Sequence, residues 1–140
     1  MKVAEFKYDE NLNTSKKLKV LIVDDNPHFC NALKFMLLDS FEDKIENVNL
    51  VHDGNQCLDE LKLNVYDIVF MDINMPNKDG IITTKEATTL YRNIIIIAVS
   101  FHSEMKYIVQ MIEAGARTYI LKEEINKESL EKALSIEYSL

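Results

Sequence analysis

Side chains able to bind cations and phosphate follow directly after short apolar runs in this chain. They are an acidic pair, a third aspartate, a serine and a lysine: Asp24, Asp25, Asp72, Ser100 and Lys122. The runs before them are rich in branched residues, as buried strands are. If these runs are parallel strands of one open sheet, all five side chains meet at the edge where such sheets bind ligands.

Three carboxylates at one edge of a sheet repel each other. Two unit charges ~4 Å apart interact by about 4 kcal/mol at an effective dielectric constant near 20, so such a cluster shares protons or binds a cation. Oxygen ligands without histidine or thiolate favour a hard ion, Mg²⁺ or Mn²⁺. Lys122 and Ser100 can contact a phosphoryl group beside that ion. An aspartate in this setting can act as a nucleophile and form an acyl phosphate.

The composition indicates one globular domain with an acidic surface. The 140 residues are 47% hydrophobic, with a formal net charge of -7 and a pI of about 5.0, which disfavours direct binding of nucleic acid. No apolar stretch has the length of a membrane span or a secretory signal. Cys30 and Cys57 fall on apolar faces of predicted helices, as buried free thiols. We therefore expect a cytoplasmic protein.

Strand and helix patterns alternate along the chain after a polar N-terminal tail, residues 1–17, and residues 18–140 form the predicted domain. The predicted strands are Leu18–Val23, Val48–Val51, Asp67–Met71, Ile94–Val99 and Thr118–Leu121. Five strands that alternate with helices predict an α/β fold, a doubly wound parallel sheet with helices on both faces.

Capping residues mark the ends of the predicted helices. Asn26, followed by Pro27, begins the first helix, and Ser103 caps the fourth. Gly115 ends the fourth helix in a left-handed conformation. Asn126 caps the last helix, which is predicted to run to about Tyr138.

The ordered set of motifs resembles the receiver domain of two-component response regulators. The matching segments are Asp24-Asp25, Met71–Pro76 with Asp79-Gly80, Ser100, and Gly115–Lys122. The resemblance covers about Leu18 to Leu134 and implies a flavodoxin-like doubly wound sheet of strand order 2-1-3-4-5.

The resemblance implies a role for the residues that would handle phosphate. Asp72 would be the phosphoacceptor, and Lys122 would pair with the phosphoryl group. Ser100 would be the switch hydroxyl and Tyr119 the switch aromatic. The phosphoryl donor would be the phosphohistidine of a sensor histidine kinase or a phosphotransfer protein.

The resemblance also implies a magnesium site. Asp25 would bind Mg²⁺ directly together with Asp72, and Asp24 would do so largely through water. The backbone carbonyl of Asn74 would complete the protein ligands.

In receivers, the fourth helix, the fifth strand and the last helix form the signalling face. The resemblance implies that the phosphorylated domain binds a downstream protein target, or a second copy in a homodimer, through this face. The spacing of apolar residues predicts that Met105, Ile108 and Ile112 of the fourth helix face the sheet. It leaves Tyr107 and Met111 together on the surface.

Two residues depart from the receiver pattern. Phe101 stands where receivers usually carry a small residue, and its ring would narrow the route to Asp72. Glu123 stands where many receivers carry proline, so no cis-proline bond is expected there. His102 is expected to border the same edge of the sheet.

Two other functions stay open. A degenerate receiver would be an interaction module that takes no phosphate; Lys122, Ser100 and the full acidic set disfavour it, and Phe101 mildly favours it. A Mg²⁺-dependent phosphohydrolase with an aspartyl nucleophile usually has a second aspartate two residues after the nucleophile. Asn74 occupies that position and cannot transfer the proton. We therefore expect a signalling switch rather than an enzyme.

Overall fold

The computed structural model describes residues 16–135. Within this range the elements are β1 Leu18–Val23, α1 Pro27–Ser40, β2 Ile45–Val51, α2 Gly54–Leu63, β3 Ile68–Met71, α3 Gly80–Leu90, β4 Ile95–Ser100, α4 Met105–Ala114, β5 Thr118–Leu121, a 3₁₀-helix Lys122–Glu124 and α5 Lys127–Ser135. Most of the predicted tail, and the predicted end of the last helix at Tyr138, lie outside the described residues. No helix within this range is long and apolar enough to cross a membrane.

All five strands are parallel and lie in the order β2-β1-β3-β4-β5, which confirms the predicted fold. Val23 of β1 lies opposite Met71 of β3, and Met71 lies opposite Ala98 of β4. Ala98 in turn lies opposite Tyr119 of β5. Because the strands run in one direction and in this register, the residues after β1, β3 and β5 emerge at the same edge.

Two apolar cores lie on opposite faces of the sheet, because successive residues of a strand point to opposite faces. One core contains Phe70 of β3 together with Leu33 of α1 and Leu130 of α5. The other contains Val69 of β3 together with residues of α2, α3 and α4: Cys57, Ala87 and Met111. The central strands are covered on both sides, which explains why they read as continuous apolar runs.

The predicted caps of the first and last helices are confirmed. The Asn26 side chain accepts hydrogen bonds of 3.0 and 3.2 Å from two backbone N–H groups in the first turn of α1, and Pro27 is the first helical residue. Asn126 accepts a 2.8 Å hydrogen bond from the Ser129 N–H, and the Ser129 hydroxyl accepts one of 3.0 Å from the Asn126 N–H. These reciprocal bonds satisfy backbone groups that a helix end leaves without partners.

The fourth helix begins one residue later than the predicted cap implies. Ser103 as its cap is wrong, because Glu104 is the N-cap residue and makes no side-chain capping bond. Glu104 is still extended, with φ of -68° and ψ of 136°, and its carbonyl accepts the first helical bond from the Tyr107 N–H at 3.0 Å. The predicted left-handed end of the helix is confirmed, since Gly115 has a φ of 121°.

The side of α4 that faces the sheet is the opposite of the predicted one. Met111 is fully buried, and Tyr107 packs against the same core. Met105 is 69% exposed and Ile112 is 43% exposed. Met105 and Ile112 of the predicted inward row therefore face outward, whereas Ile108 is half-buried.

Packing between α3 and α4 determines which side of α4 faces the sheet. The Thr88 hydroxyl of α3 donates a 2.9 Å hydrogen bond to the carbonyl of Ala114, the last residue of α4. Gly115 lies so close to Thr88 that a Cβ there would clash with it. Both rows of α4 are apolar at helical spacing, so this tertiary contact, and not periodicity, selects the buried row.

Both cysteines are free and buried, as predicted. Burial raises the pKa of the Cys30 thiol to about 11 and that of Cys57 to about 12. Neither thiol ionises near neutral pH, so neither is a reactive nucleophile. The Cys30 thiol instead donates a 3.2 Å hydrogen bond to the Asp24 carbonyl, beneath the acidic pair.

Candidate functional site

Three carboxylates meet at the carboxyl edge of the sheet. Asp24, Asp25 and Asp72 each present an oxygen atom, and these atoms lie within 4.8 Å of one another. Asp24 and Asp72 are buried, whereas Asp25 is exposed. The structure therefore brings together the three aspartates that the sequence placed at strand ends.

The backbone around the cluster is fixed by the neighbouring strands. The Asp24 N–H donates a 3.1 Å bond to the Val51 carbonyl of β2, and the Asp72 N–H donates a 2.9 Å bond to the Val23 carbonyl of β1. The first residue of α3, Gly80, presses against the Asp72 backbone so closely that any Cβ would clash with the carbonyl oxygen. Glycine is therefore required at this position, and the close approach holds the aspartate in place.

Lys122 extends from the end of β5 into the acidic cluster. Its Nζ lies 2.7 Å from Asp24 Oδ2 and 3.7 Å from Asp72 Oδ2. Asp24 Oδ2 makes no hydrogen bond of favourable geometry within the described residues, so the ammonium is its ionic neighbour. One ammonium among three carboxylates leaves an excess of negative charge, and the oxygen-only donor set fits a hard divalent cation.

The Asp72 carboxyl is perturbed in the direction that this crowding predicts. Burial, and next the charge of Asp24, raise the pKa of Asp72 to about 7, while Lys122 opposes the shift. Without a cation the group is therefore partly protonated at neutral pH. A bound cation favours the ionised form, which is the form able to act as a nucleophile.

Ser100 and Tyr119 lie beside the site on the last two strands. Ser100 is the final residue of β4 and is buried, and its hydroxyl accepts a 3.1 Å bond from the His102 N–H. The Tyr119 hydroxyl donates a 2.7 Å bond to the His102 carbonyl. Burial raises the pKa of Tyr119, so its hydroxyl remains a donor at neutral pH.

His102 borders the edge, as expected, and links three parts of the molecule. Its Nε2 forms a short hydrogen-bond contact with the Asn74 side-chain amide, in the loop after β3. Its ring stacks on Tyr107 of α4 with centroids 4.3 Å apart. Through its backbone it contacts Ser100 and Tyr119. The loop between β4 and α4 is thereby tied to the acidic edge.

Two phenylalanine rings contact Lys122, and the sequence did not indicate the contact of Phe29. The ring centroids of Phe29 and Phe101 lie 4.3 and 5.0 Å from Lys122 Nζ. The apolar spacing of the first helix places Phe29 on its inward face, and no spacing in the sequence indicates that it reaches the lysine after β5. Phe101 is 67% exposed and lies over Lys122.

The strand order, together with an acidic cluster and a lysine at the carboxyl edge, defines a receiver-type signalling domain. A family model described as the response regulator receiver domain matches residues 20–135. The chain belongs to this family, as the motifs predicted.

Several characterised relatives are transcriptional regulators. The chain is 29% identical over 115 residues to the transcriptional regulatory protein DegU of Brevibacillus brevis, a match that covers 82% of this chain and 48% of DegU. It is 33% identical over 122 residues to ZraR of Salmonella typhimurium, covering 85% of this chain and 27% of ZraR. The chain thus spans about half or less of these relatives.

Solved receiver structures share the fold at lower identity. A two-component response regulator from Clostridium difficile has a TM-score of 0.77 at 23% identity, covering 87% of this chain and 96% of the other. The CheX–CheY–BeF3–Mg²⁺ complex from Borrelia burgdorferi has a TM-score of 0.78 at 22% identity, covering 88% and 90%. These structures support the five-stranded receiver fold.

Proposed function

We propose that this receiver domain is a phosphorylatable switch that accepts a phosphoryl group on Asp72. The observation that carries the proposal is the convergence of three carboxylate oxygens within 4.8 Å, with the Lys122 ammonium 3.7 Å from Asp72. An Asp72 oxygen attacks phosphorus, the O–P bond forms and the bond to the donor nitrogen breaks. The imidazole of the donor phosphohistidine leaves with the electron pair.

The other residues of the site bind and orient in this proposal. Asp25 and Asp72 bind Mg²⁺, with Asp24 acting largely through water and the Asn74 carbonyl completing the set. The same oxygen ligands also suit Mn²⁺. The bound cation supplies positive charge beside the transferred group. Lys122 and Ser100 contact the phosphoryl oxygens.

The donor in this proposal is a sensor histidine kinase or a phosphotransfer protein in the cytoplasm. Membership of the receiver family supports that class of partner. A neighbour in fold, the CheX–CheY–BeF3–Mg²⁺ complex of Borrelia burgdorferi, contains Mg²⁺ and BeF3, a phosphoryl mimic. This supports binding of Mg²⁺ and a phosphoryl group here. The protein acts as a switch and not as a hydrolase, because Asn74 cannot serve as the second acid.

The output of the switch is binding of a downstream protein, or of a second copy, through the face formed by α4, β5 and α5. On α4 the outward residues Met105, Val109 and Ile112 are 69%, 42% and 43% exposed. Apolar residues at this spacing form a continuous stripe along a helix. The Tyr119 hydroxyl on β5 bonds to His102 in the loop between the acidic edge and this helix, and it couples the two when Asp72 is phosphorylated.

Incubation with Mg²⁺ and phosphoramidate, read by intact mass, tests the proposal. The parent should gain the mass of one phosphoryl group, and Asp72→Asn should gain none. Asp59→Asn, which alters an exposed aspartate on α2, is the matched control and should behave like the parent. A folded parent that gains no mass with Mg²⁺ present would support the degenerate receiver instead.

A further inference from the structure

The Lys122 ammonium contacts two aromatic rings from different parts of the chain. Phe29 belongs to the first turn of α1, and Phe101 to the loop after β4. Their centroids lie 4.3 and 5.0 Å from Nζ, both inside the ~6 Å range of a cation–π contact. These two rings are called here the ring clamp, and the Lys122 side chain that they contact is only 6% exposed.

Core packing does not account for the position of Phe101. The residue belongs to neither apolar core and is 67% exposed, yet its ring lies over the ammonium. Phe29, by contrast, is half-buried and packs against the core beneath α1. An exposed phenylalanine gains little from burial, so its contact with Lys122 is the interaction that this site offers it.

The rings restrain the lysine without neutralising it. A carboxylate partner such as Asp24 cancels part of the ammonium charge and occupies an N–H donor. An aromatic face attracts the charge without neutralising it, so the N–H donors that are not directed at Asp24 can still contact other oxygen atoms. A lysine held in this way keeps its charge and its remaining donors for the phosphoryl oxygens beside Asp72.

We propose that Phe29 and Phe101 are positioning residues that fix the Lys122 ammonium for phosphoryl transfer to Asp72. This inference rests on the proposed function of Asp72. The ring clamp holds the ammonium close to both Asp24 and Asp72, so that it moves little when the phosphoryl group arrives. Pre-placed charge of this kind stabilises the transition state more than a mobile side chain does.

Substitutions that separate an apolar side chain from an aromatic face test the ring clamp. Phe101→Leu keeps an apolar side chain and removes the aromatic face, whereas Phe101→Tyr keeps the face. Phosphorylation by phosphoramidate with saturating Mg²⁺, followed by intact mass, should slow about two- to five-fold for Phe101→Leu. It should slow further when Phe29→Leu is added, and should stay near the parent rate for Phe101→Tyr.

Fluorination of the ring gives a readout that a merely structural role would not move. Mono-, di- and trifluorophenylalanine at position 101 withdraw electrons from the ring face and change its shape little. The rate should fall stepwise with each fluorine. The same series at Phe35, an exposed phenylalanine of α1 at 68% exposure, is the matched control and should leave the rate unchanged.

Proton NMR reports the ring clamp independently of phosphorylation. The Lys122 Cε protons should be shifted upfield by the rings, and Phe101→Leu with Phe29→Leu should remove that shift. Two results would overturn the ring clamp alone, provided that the parent is phosphorylated. One is a phosphorylation rate that does not change with fluorination at position 101, and the other is an equal increase of that rate in Phe101→Leu and Phe101→Tyr. A folded parent that takes no phosphoryl group would overturn the proposed function and the positioning role together.

Discussion

The proposed role of Asp72 as a nucleophile conflicts with the surroundings of its carboxyl group. A nucleophile has to be ionised, but burial and the neighbouring Asp24 raise the pKa of Asp72 to about 7. Lys122 relieves only part of this cost. Ionised Asp72 is therefore locally destabilising in this cluster, and a bound divalent cation would offset that cost.

The raised pKa of Asp72 predicts how stability depends on pH. Its ordinary value is 3.8 and its folded value about 7, so between these pH values the folded state binds more protons than the unfolded state. In chelated, Mg²⁺-free buffer, the contribution of Asp72 to the free energy of unfolding should fall as pH rises through this window. Asp72→Asn removes that fall and should gain on the parent by a few kcal/mol at most, to order of magnitude.

Urea unfolding at pH 5 and pH 7.5 measures this difference. Asp59→Asn serves as the control and should track the parent at both pH values. If the gap between parent and Asp72→Asn stays constant with pH, the Asp72 pKa is not raised in the folded state.

Asp25 is the exposed member of the acidic cluster, so its removal should cost little folding stability. Mg²⁺ should raise the melting temperature of the parent, because it binds the folded state and relieves repulsion; a ligand at ten times its Kd contributes about 1.4 kcal/mol. Asp25→Ala should lose most of that increase and nearly all phosphorylation. Thermal melts across a Mg²⁺ titration check this, with Asp59→Ala as control, and an unchanged response of Asp25→Ala would contradict the assignment.

The helix α4 has two apolar rows with different roles. Met111 lies in the core, so Met111→Glu should unfold or strongly destabilise the domain by burying an unpaired charge. Met105→Glu with Ile112→Glu alters the exposed row and should leave folding and phosphorylation of Asp72 intact. It should weaken self-association, or binding of a downstream partner, in the phosphorylated state.

Light scattering with BeF3⁻ and Mg²⁺ as a phosphoryl mimic measures the self-association. Ile82→Glu, at an exposed apolar residue of α3 at 50% exposure, is the matched control. Normal association of the double variant, together with normal capture of a phosphorylation-dependent partner, would place the interaction surface elsewhere.

The loop between β4 and α4 connects the acidic edge to this helix. Its central residue, His102, contacts Asn74 near the site and stacks on Tyr107 of α4, and its carbonyl accepts the 2.7 Å bond from Tyr119. Tyr119→Phe removes this one bond and keeps the ring. The variant should take phosphate at a rate near that of the parent, but phosphorylation should strengthen association less. Comparing association with and without BeF3⁻ tests the coupling, and an undiminished response would show that the hydroxyl does not transmit it.

At the scale of the whole molecule, the features that could be predicted from the sequence were those set by short-range patterns. Five apolar runs separated by helices predicted a parallel sheet with helices on both faces, and the resemblance to receivers supplied the strand order. The caps Asn26 and Asn126 were predictable because their bonds join residues only two or three positions apart. The convergence of the three aspartates followed from strand direction alone. Each of these depends on local chemistry or on the regularity of a parallel sheet.

Features set by tertiary contacts could not be predicted. β2 begins at Ile45 and not at Val48, because Leu18 pairs with Ile45 across an irregularity in the ladder. The rotation of α4 depends on Thr88 of another helix. The contact between Phe29 and Lys122 joins residues more than 90 positions apart in the chain, and no periodicity in the sequence predicts such a contact.

The central claim is that Asp72 is the phosphoacceptor of this domain. The most direct measurement treats the folded protein with phosphoramidate and Mg²⁺, reduces any acyl phosphate with borohydride, and maps the modified peptide by mass spectrometry. Reduction converts a phosphorylated aspartate into homoserine and so marks the position. We predict homoserine at position 72, dependent on Mg²⁺, with Asp24, Asp25 and Asp59 unmodified. Modification at another aspartate, or none in a folded protein that binds Mg²⁺, would contradict the account.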